Sequence, residues 1–167
     1  MNSFMDWLER TKLLMGEVAV ERYISAHILI VGVGGVGAYA AEMLVRSGVG
    51  ELTIVDADVV SESNLNRQLI ALHSTLGKSK VEVLEKRLLD INPNLKINSF
   101  NEFLKDERIP ELLDSVRFDY VVDAIDTLSP KVFLIQHAIE RKIPLISSMG
   151  AGAKFDITKI SIADISK

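Results

Sequence analysis

His27-Ile28-Leu29-Ile30-Val31-Gly32-Val33-Gly34-Gly35-Val36-Gly37 decides the fold. The apolar run Ile28 to Val31, rich in β-branched residues, predicts a strand buried on both faces. Glycines follow at once, and Ala38-Tyr39-Ala40-Ala41-Glu42-Met43-Leu44-Val45-Arg46 then predicts a helix. Strand, glycine turn and helix form the first unit of a nucleotide-binding α/β domain. Gly32 permits the sharp turn, Gly34 and Gly35 leave no Cβ between backbone and ligand, and Gly37 lets the helix lie close on the sheet. The start of that helix offers unpaired N–H groups and partial positive charge to a phosphate. A tight turn that binds nothing is the plainer alternative, and the correct flanking elements argue against it.

The residues before Ala26 predict a helical arm with an irregular apolar stripe of Trp7, Leu8, Leu13, Leu14 and Val18, with Arg10 among them. Beyond the first unit, Gly48 and Gly50 close the helix. Leu52 to Val55 is the second strand and ends in Asp56. An acid about twenty residues past the glycines commonly holds ribose hydroxyls. The long polar segment Asp56 to Gln68 follows, where a simple dinucleotide unit would pass quickly to its next helix. Its Arg67 suits a phosphate, or equally a surface salt bridge. Gly77-Lys78-Ser79-Lys80 opens a helix with Val81, Leu84, Leu88 and Ile91 on one face, stopped by Asn92-Pro93. Lys80 in its first turn opposes the helix dipole, so either a bound polyphosphate explains it or it is mobile and solvated. The cluster Lys78, Lys80, Lys86 and Arg87 is taken as a solvated helix face.

Leu95 to Phe100 predicts a third strand, Ile109 to Val116 a short helix, and Tyr120 to Ala124 a fourth strand. This strand delivers Asp123 and Asp126 to the carboxyl edge of the sheet, and two acids beside a phosphate site suggest a magnesium ligand. Ser129 is expected to cap the next helix with Pro130 as its first residue, which leaves Asp126 free for a ligand. Ile143 to Ser148 predicts a fifth strand, Met149 to Ala153 a small-residue loop, and Lys159 to Ala163 one further strand. No repeat, linker or second domain is evident.

The chain has 167 residues, 48% hydrophobic and 25% charged, enough for one domain with a core. It lacks a run of eighteen apolar residues and a basic, cleavable leader, so the cytoplasm is expected. With no cysteine, the chain holds no disulfide, cysteine-ligated zinc or thiolate nucleophile. A net charge of −4 means that any nucleic-acid contact needs a local basic patch.

In their order and spacing, Gly32 to Gly37, Asp56-Ala57-Asp58, Ser63-Asn64-Leu65-Asn66-Arg67-Gln68, Lys78-Ser79-Lys80 and Asp123-Ala124-Ile125-Asp126 resemble one superfamily. It is the ubiquitin-activating-type adenylating enzymes (HesA/MoeB/ThiF-like), whose bacterial members include activators of molybdopterin and thiamine sulfur carriers. One branch fits best. Arg10-Thr11 before Leu13-Leu14-Met15-Gly16-Glu17, Ser129-Pro130-Lys131, and Met149-Gly150-Ala151-Gly152 with Asp156 beyond are similar to the tRNA threonylcarbamoyladenosine dehydratase family. That family activates the carboxylate of a modified adenosine next to the anticodon with ATP, and loss of water closes a ring. Its members are longer, so the resemblance implies an N-terminal portion.

The resemblance implies a Rossmann-like α/β fold, with a mostly parallel sheet, helices on both faces and the helical arm. Residues 1–167 would form one ATP-binding adenylating domain, with the arm at 1–25, the nucleotide-binding core at 26–150 and the first C-terminal strands at 151–167. Gly32, Gly34, Gly35 and Gly37 would lie against ATP. Asp56 would hold the ribose, Asn64 and Arg67 orient the triphosphate, and Lys80 neutralise it. Asp126 would bind Mg2+, and Arg10 would reach across a homodimer to the partner's ATP. Asp58 belongs to the motif without a defined role. Modified tRNA would be the substrate. The competing readings are adenylation of a ubiquitin-like sulfur-carrier C-terminus, a nicotinamide dehydrogenase that leaves Asn64, Arg67 and Lys80 unexplained, and a non-catalytic nucleotide-binding module.

Overall fold

The computed structural model describes residues 7–150 and 155–165. Two short helices, α1 (Glu9–Met15) and α2 (Glu17–Ser25), precede β1 (His27–Val31), α3 (Gly37–Arg46) and β2 (Glu51–Val55). Then come α4 (Lys80–Ile91), β3 (Lys96–Phe100), α5 (Arg108–Ser115), β4 (Tyr120–Asp123), α6 (Leu128–Glu140) and β5 (Leu145–Ser147). The five strands form one sheet in the order β3-β2-β1-β4-β5, and every pairing is parallel. This is the expected α/β architecture with an N-terminal helical arm. Among the described residues no helix is long and apolar enough to cross a membrane.

Strand periodicity divides the core. Ile28 and Ile30 of β1 face one cluster with Ala38, Ala41 and Val45 of α3 and Val81, Leu84 and Leu88 of α4. Leu29 and Val31 face the opposite cluster, with Ile109, Leu112 and Leu113 of α5 and Leu134 of α6. The unbroken apolar run Ile28 to Val31 is the sequence consequence of being covered on both sides. All five residues of β1 are buried.

The chain runs outward from β1 to β2 and β3, then crosses back to β4 and β5. The direction of winding therefore reverses between β1 and β4, and a crevice opens beyond their carboxyl ends. Three backbone approaches fix its floor. Gly32, at φ 86°, leads out of β1, and a Cβ there would stand 2.6 Å from the Ala124 carbonyl oxygen. A Cβ at Gly37 would lie 1.8 Å from the Gly32 carbonyl oxygen. The Gly32 N–H donates to the Val55 carbonyl at 2.8 Å. At the opposite edge, Leu8 packs on Gly48, and a Cβ at Gly50 would meet the Ile24 carbonyl oxygen at 2.0 Å. The arm is thus seated at the amino-terminal edge, while Leu13, Leu14 and Val18 remain exposed.

Two expectations need correction. Thr127, not Ser129, is the N-cap residue of α6, so Ser129 and Pro130 both lie inside its first turn. Pro130 is tolerated there because the first turn has no intrahelical acceptor for its missing N–H. Lys159 to Ala163 forms no strand. Ile157–Lys159 is a single 3-10 turn capped by Asp156, and Ile160 and Ile162 are exposed. Period-two alternation needs a strand edge to pair with, and among the described residues no strand pairs with this segment. The expected loop residues Ala151, Gly152 and Ala153 lie outside the described residues.

Of the cluster Lys78, Lys80, Lys86 and Arg87, three members are exposed as expected; Lys80 is buried, and the exposed Arg87 is engaged in an ion pair. The Arg87 Nε and Nη2 donate to the buried Glu42 of α3, which also accepts from the Arg46 Nε at 2.9 Å. These bonds, that to Arg87 foremost, hold the Glu42 carboxyl below its ordinary 4.5 despite desolvation.

Two outcomes follow for stability. Gly37→Ala is expected to cost about 3 kcal/mol or more in denaturant unfolding, because backbone must move to admit the methyl group. Glu42→Gln is expected to cost about 1 kcal/mol at neutral pH, the arginines being half exposed to solvent. A depressed carboxyl pKa stabilises above the unfolded value and loses that contribution as pH falls through the folded value. The gap between wild type and Glu42→Gln should therefore narrow below about pH 4.5 in denaturation series.

Candidate functional site

A cavity of about 700 Å³ occupies the crevice at the carboxyl ends of the strands, a volume typical of small-molecule sites. Its floor is the glycine turn, which ends at α3. Among the described residues no acceptor pairs with the N–H groups of Gly34, Gly35 or Val36. Unpaired donors at a helix start favour an anion.

Asp56 stands where β2 ends. Its Oδ2 accepts from the Val33 N–H at 2.8 Å and its Oδ1 from the Asp58 N–H at 2.8 Å. The carboxylate therefore ties the glycine turn to the polar segment while lining the cavity. Asp58 in turn holds Lys80. The Lys80 Nζ donates to the Asp58 Oδ2 at 2.7 Å, and the Lys80 N–H donates to the Asp58 carbonyl at 3.0 Å. Lys80 is only 5% exposed, so it is not a mobile, solvated lysine. A buried ammonium in a helix's first turn loses hydration and opposes the dipole. The Asp58 carboxylate, 71% exposed, offsets that cost in the structure described.

Arg67 lines the same wall. Its guanidinium donates to the Ser63 carbonyl at 2.8 Å and the Asn66 side-chain oxygen at 2.9 Å, and it pairs with no carboxylate among the described residues. Its side chain passes over Gly35, where a Cβ would come within 3.6 Å. Arg67 thus borders the cavity with its stem over the glycine turn, and no carboxylate among the described residues answers its charge.

Eight of the eleven expected site residues line the cavity: Gly32, Gly34, Gly35, Asp56, Asp58, Arg67, Lys80 and Asp126. The other three stand outside it. Gly37 acts from behind the turn. Asn64 is buried, and its Oδ1 accepts the Ser61 N–H at 3.0 Å while its carbonyl accepts the N–H groups of Arg67 and Gln68. It shapes the turn that presents Arg67 and is not on the cavity wall. Arg10 is exposed on α1, an arm helix, away from its own chain's cavity.

The two acids near β4 separate. Asp126 is exposed at the cavity wall, and its carboxylate forms no hydrogen bond with a described residue. Asp123 is wholly buried, and its Oδ2 receives the Lys131 Nζ and the Ser147 hydroxyl. Asp123 is therefore no candidate ligand for a metal, which corrects the paired-acid expectation. Among the described residues no three His, Cys, Asp or Glu side chains converge as a metal cage. A hard divalent cation here would rely on one carboxylate plus oxygens of a bound phosphate, the usual manner for magnesium.

Sequence reasoning missed three features. Gln68 is buried on the cavity wall with its Oε1 unpaired, and its amide nitrogen lies over Gly34. Phe103 and Leu104 form an apolar wall beyond β3. Lys131 is buried behind β4. Only the last carried a usable signal, since a lysine in the first turn of a helix raises the same electrostatic question as Lys80.

The ThiF family model matches residues 8–165. A tRNA threonylcarbamoyladenosine dehydratase of Bacillus subtilis is 45% identical over 158 residues, 95% of this chain and 62% of the relative. A molybdopterin-synthase adenylyltransferase of Escherichia coli is 35% identical over 139 residues, covering 83% of this chain and 55% of the relative. The crystal structure of E. coli tRNA N6-threonylcarbamoyladenosine dehydratase in complex with ATP superposes at TM-score 0.95. It is 38% identical, with 100% of this chain and 68% of that one covered. The chain thus spans about three fifths of the length of its curated dehydratase relatives.

The free Asp126 carboxylate makes a clear prediction for the protein without nucleotide. Asp126→Asn should leave the thermal midpoint within about a degree, whereas Asp123→Asn should lower it by several degrees through loss of a buried charge partner. Melting curves of the two variants check both outcomes.

Proposed function

Because this chain belongs to the ThiF family, we propose that it adenylates a carboxylate with ATP, on threonylcarbamoyladenosine next to the anticodon of tRNA. The observation that carries this reading is the conjunction at one cavity of unpaired glycine-turn donors, Arg67, Lys80 and an uncommitted Asp126. The dehydratase relatives and the ATP complex of one of them support it. Residues 26–150 serve as the nucleotide-binding core and residues 1–25 as the arm, and the reaction belongs to the cytoplasm.

A carboxylate is a poor acylating agent because oxide is its leaving group. In the proposed step, one carboxylate oxygen bonds to the α-phosphorus of ATP. The bond from that phosphorus to the bridging oxygen breaks, and pyrophosphate leaves with the electron pair. The resulting acyl adenylate loses AMP when a nucleophile of the same modified base attacks the carbonyl carbon, for a net loss of water. The protein's work is to align two anions and stabilise charge on phosphate. The turn from Gly34 to Val36 offers N–H donors to phosphate, and Arg67 faces it with a charge that no acid answers. Lys80 adds a buried positive charge, which Asp58 holds in place. Asp56 remains the candidate for the ribose hydroxyls.

The pocket fits magnesium nucleotide, since Asp126 is the one cavity-lining carboxylate among the described residues with no hydrogen bond or ion pair. Mg2+ held by Asp126 and the phosphates would neutralise charge that builds on the departing pyrophosphate.

We also propose a homodimer. Arg10 stands remote from its own cavity, and the arm exposes Leu13, Leu14 and Val18. A second copy would cover this apolar face and receive Arg10 at its nucleotide.

The molybdopterin-synthase adenylyltransferase relative favours a second reading, in which the acceptor is the C-terminus of a ubiquitin-like sulfur carrier. Exchange of labelled pyrophosphate into ATP separates the readings. Modified tRNA should drive exchange, and Lys80→Met or Arg67→Met should each reduce it about a hundredfold. Exchange driven by the carrier alone would transfer the assignment to that acceptor. Exchange with neither, alongside ordinary ATP binding, would leave a nucleotide-binding module.

A further inference from the structure

We infer that Lys131 is a positioning residue whose buried ammonium locks together the two loops that form the β4–β5 side of the cavity. This inference rests on the adenylation reading, and it concerns where the acceptor and Asp126 meet.

Lys131 is the fourth residue of α6. It is 5% exposed and does not line the cavity, so it is not placed to touch a ligand. Its Nζ donates to three oxygens, the Asp123 Oδ2, the Ser147 Oγ at 3.2 Å and the Ser148 carbonyl at 3.0 Å. An ammonium has three protons, so its donor capacity is filled. Asp123 completes the lock. Its Oδ1 accepts from the Ile125 N–H at 3.0 Å, and its carbonyl accepts from the Ser148 N–H at 2.8 Å.

Each loop is therefore pinned where it leaves the sheet. Ser148 is held at both its N–H and its carbonyl, and Ile125 at its N–H. The residues that follow, Asp126 and Met149-Gly150, line the cavity. Asp126 has no side-chain bond to a described residue, so the backbone leaving Asp123 sets its position. A buried ion pair is a weak stabiliser compared with apolar packing of the same volume. What this pair supplies is geometry. It couples α6, β4 and β5 at one point behind the site, within a few residues of the proposed metal ligand.

The test compares wild type with Lys131→Met, Lys131→Arg and the double variant Asp123→Asn/Lys131→Met. The double variant removes both charges and so avoids a stranded carboxylate if the single variant fails to fold. In the protein without nucleotide, amide hydrogen exchange at Ile125 and Ser148 should quicken by about tenfold or more in the double variant, with Gly32 unchanged. ATP affinity by calorimetry, and the KM for ATP, should stay within about threefold of wild type. The kcat of tRNA-driven pyrophosphate exchange should fall about a hundredfold, and Lys131→Arg should recover part of it. Unchanged exchange at Ile125 and Ser148, or a wild-type kcat in the double variant, would overturn the inference. If wild type itself exchanges no pyrophosphate with any carboxylate, the adenylation reading fails, and the amide measurements still decide whether Lys131 holds the loops.

Discussion

Everything at the carboxyl edge depends on one steric constraint, the contact of backbone with backbone where β1 gives way to α3. No side chain fits between Gly37 and the Gly32 carbonyl, or between Gly32 and the Ala124 carbonyl. These contacts set the height of α3 over the sheet and the separation of the β1 and β4 loops. They also aim the first N–H groups of the helix at the crevice. A methyl group at either glycine would lift one wall from another, and charged groups added elsewhere could not restore the spacing.

The acids along this edge divide their duties by the partners each one has. Asp56 joins the glycine turn to the polar segment. Asp58 secures Lys80, and Asp123 secures Lys131. Each of these carboxylates is already engaged in the protein's own framework. Asp126 is different, since it stands at the wall with nothing bonded to it among the described residues. Fixed carboxylates spare the site the reorganisation that mobile ones would need when a polyanion arrives.

Much of this was legible in the sequence, for physical reasons that differ by element. The run from His27 to Val31 can only be a strand covered on both faces, and the glycines after it have few other uses. Helix α4 announces itself by apolar periodicity, with Val81, Leu84, Leu88 and Ile91 on one face. At the start of α6 Ser129-Pro130 is a strong local signal, yet Thr127 occupies the N-cap position. The strand expected at Lys159 to Ala163 failed because alternation encodes a face and carries no information about a neighbour. At the site, residue type and spacing located the glycines, Asp56, Arg67, Lys80 and Asp126. They did not reveal that Asn64 turns inward, nor that Asp123 is sealed against Lys131. Those outcomes depend on partners 8 to 24 residues away that only the folded chain brings close, or on a short turn that closes on itself.

The strand order has a consequence for synthesis. β1 pairs with β2 on one side and β4 on the other, and 92 residues separate His27 from the Asp119 that receives its N–H. As the chain leaves the ribosome, β1, β2 and β3 can assemble with α3 and α4 while one edge of β1 still lacks its neighbour. From Ile28 to Val31 that edge is apolar, the kind that recruits stray strands. The central strand of the finished sheet is thus an outer strand for part of the chain's emergence. Its protection arrives only with β4, and the long sequence separation makes that closing step slow relative to the local helices.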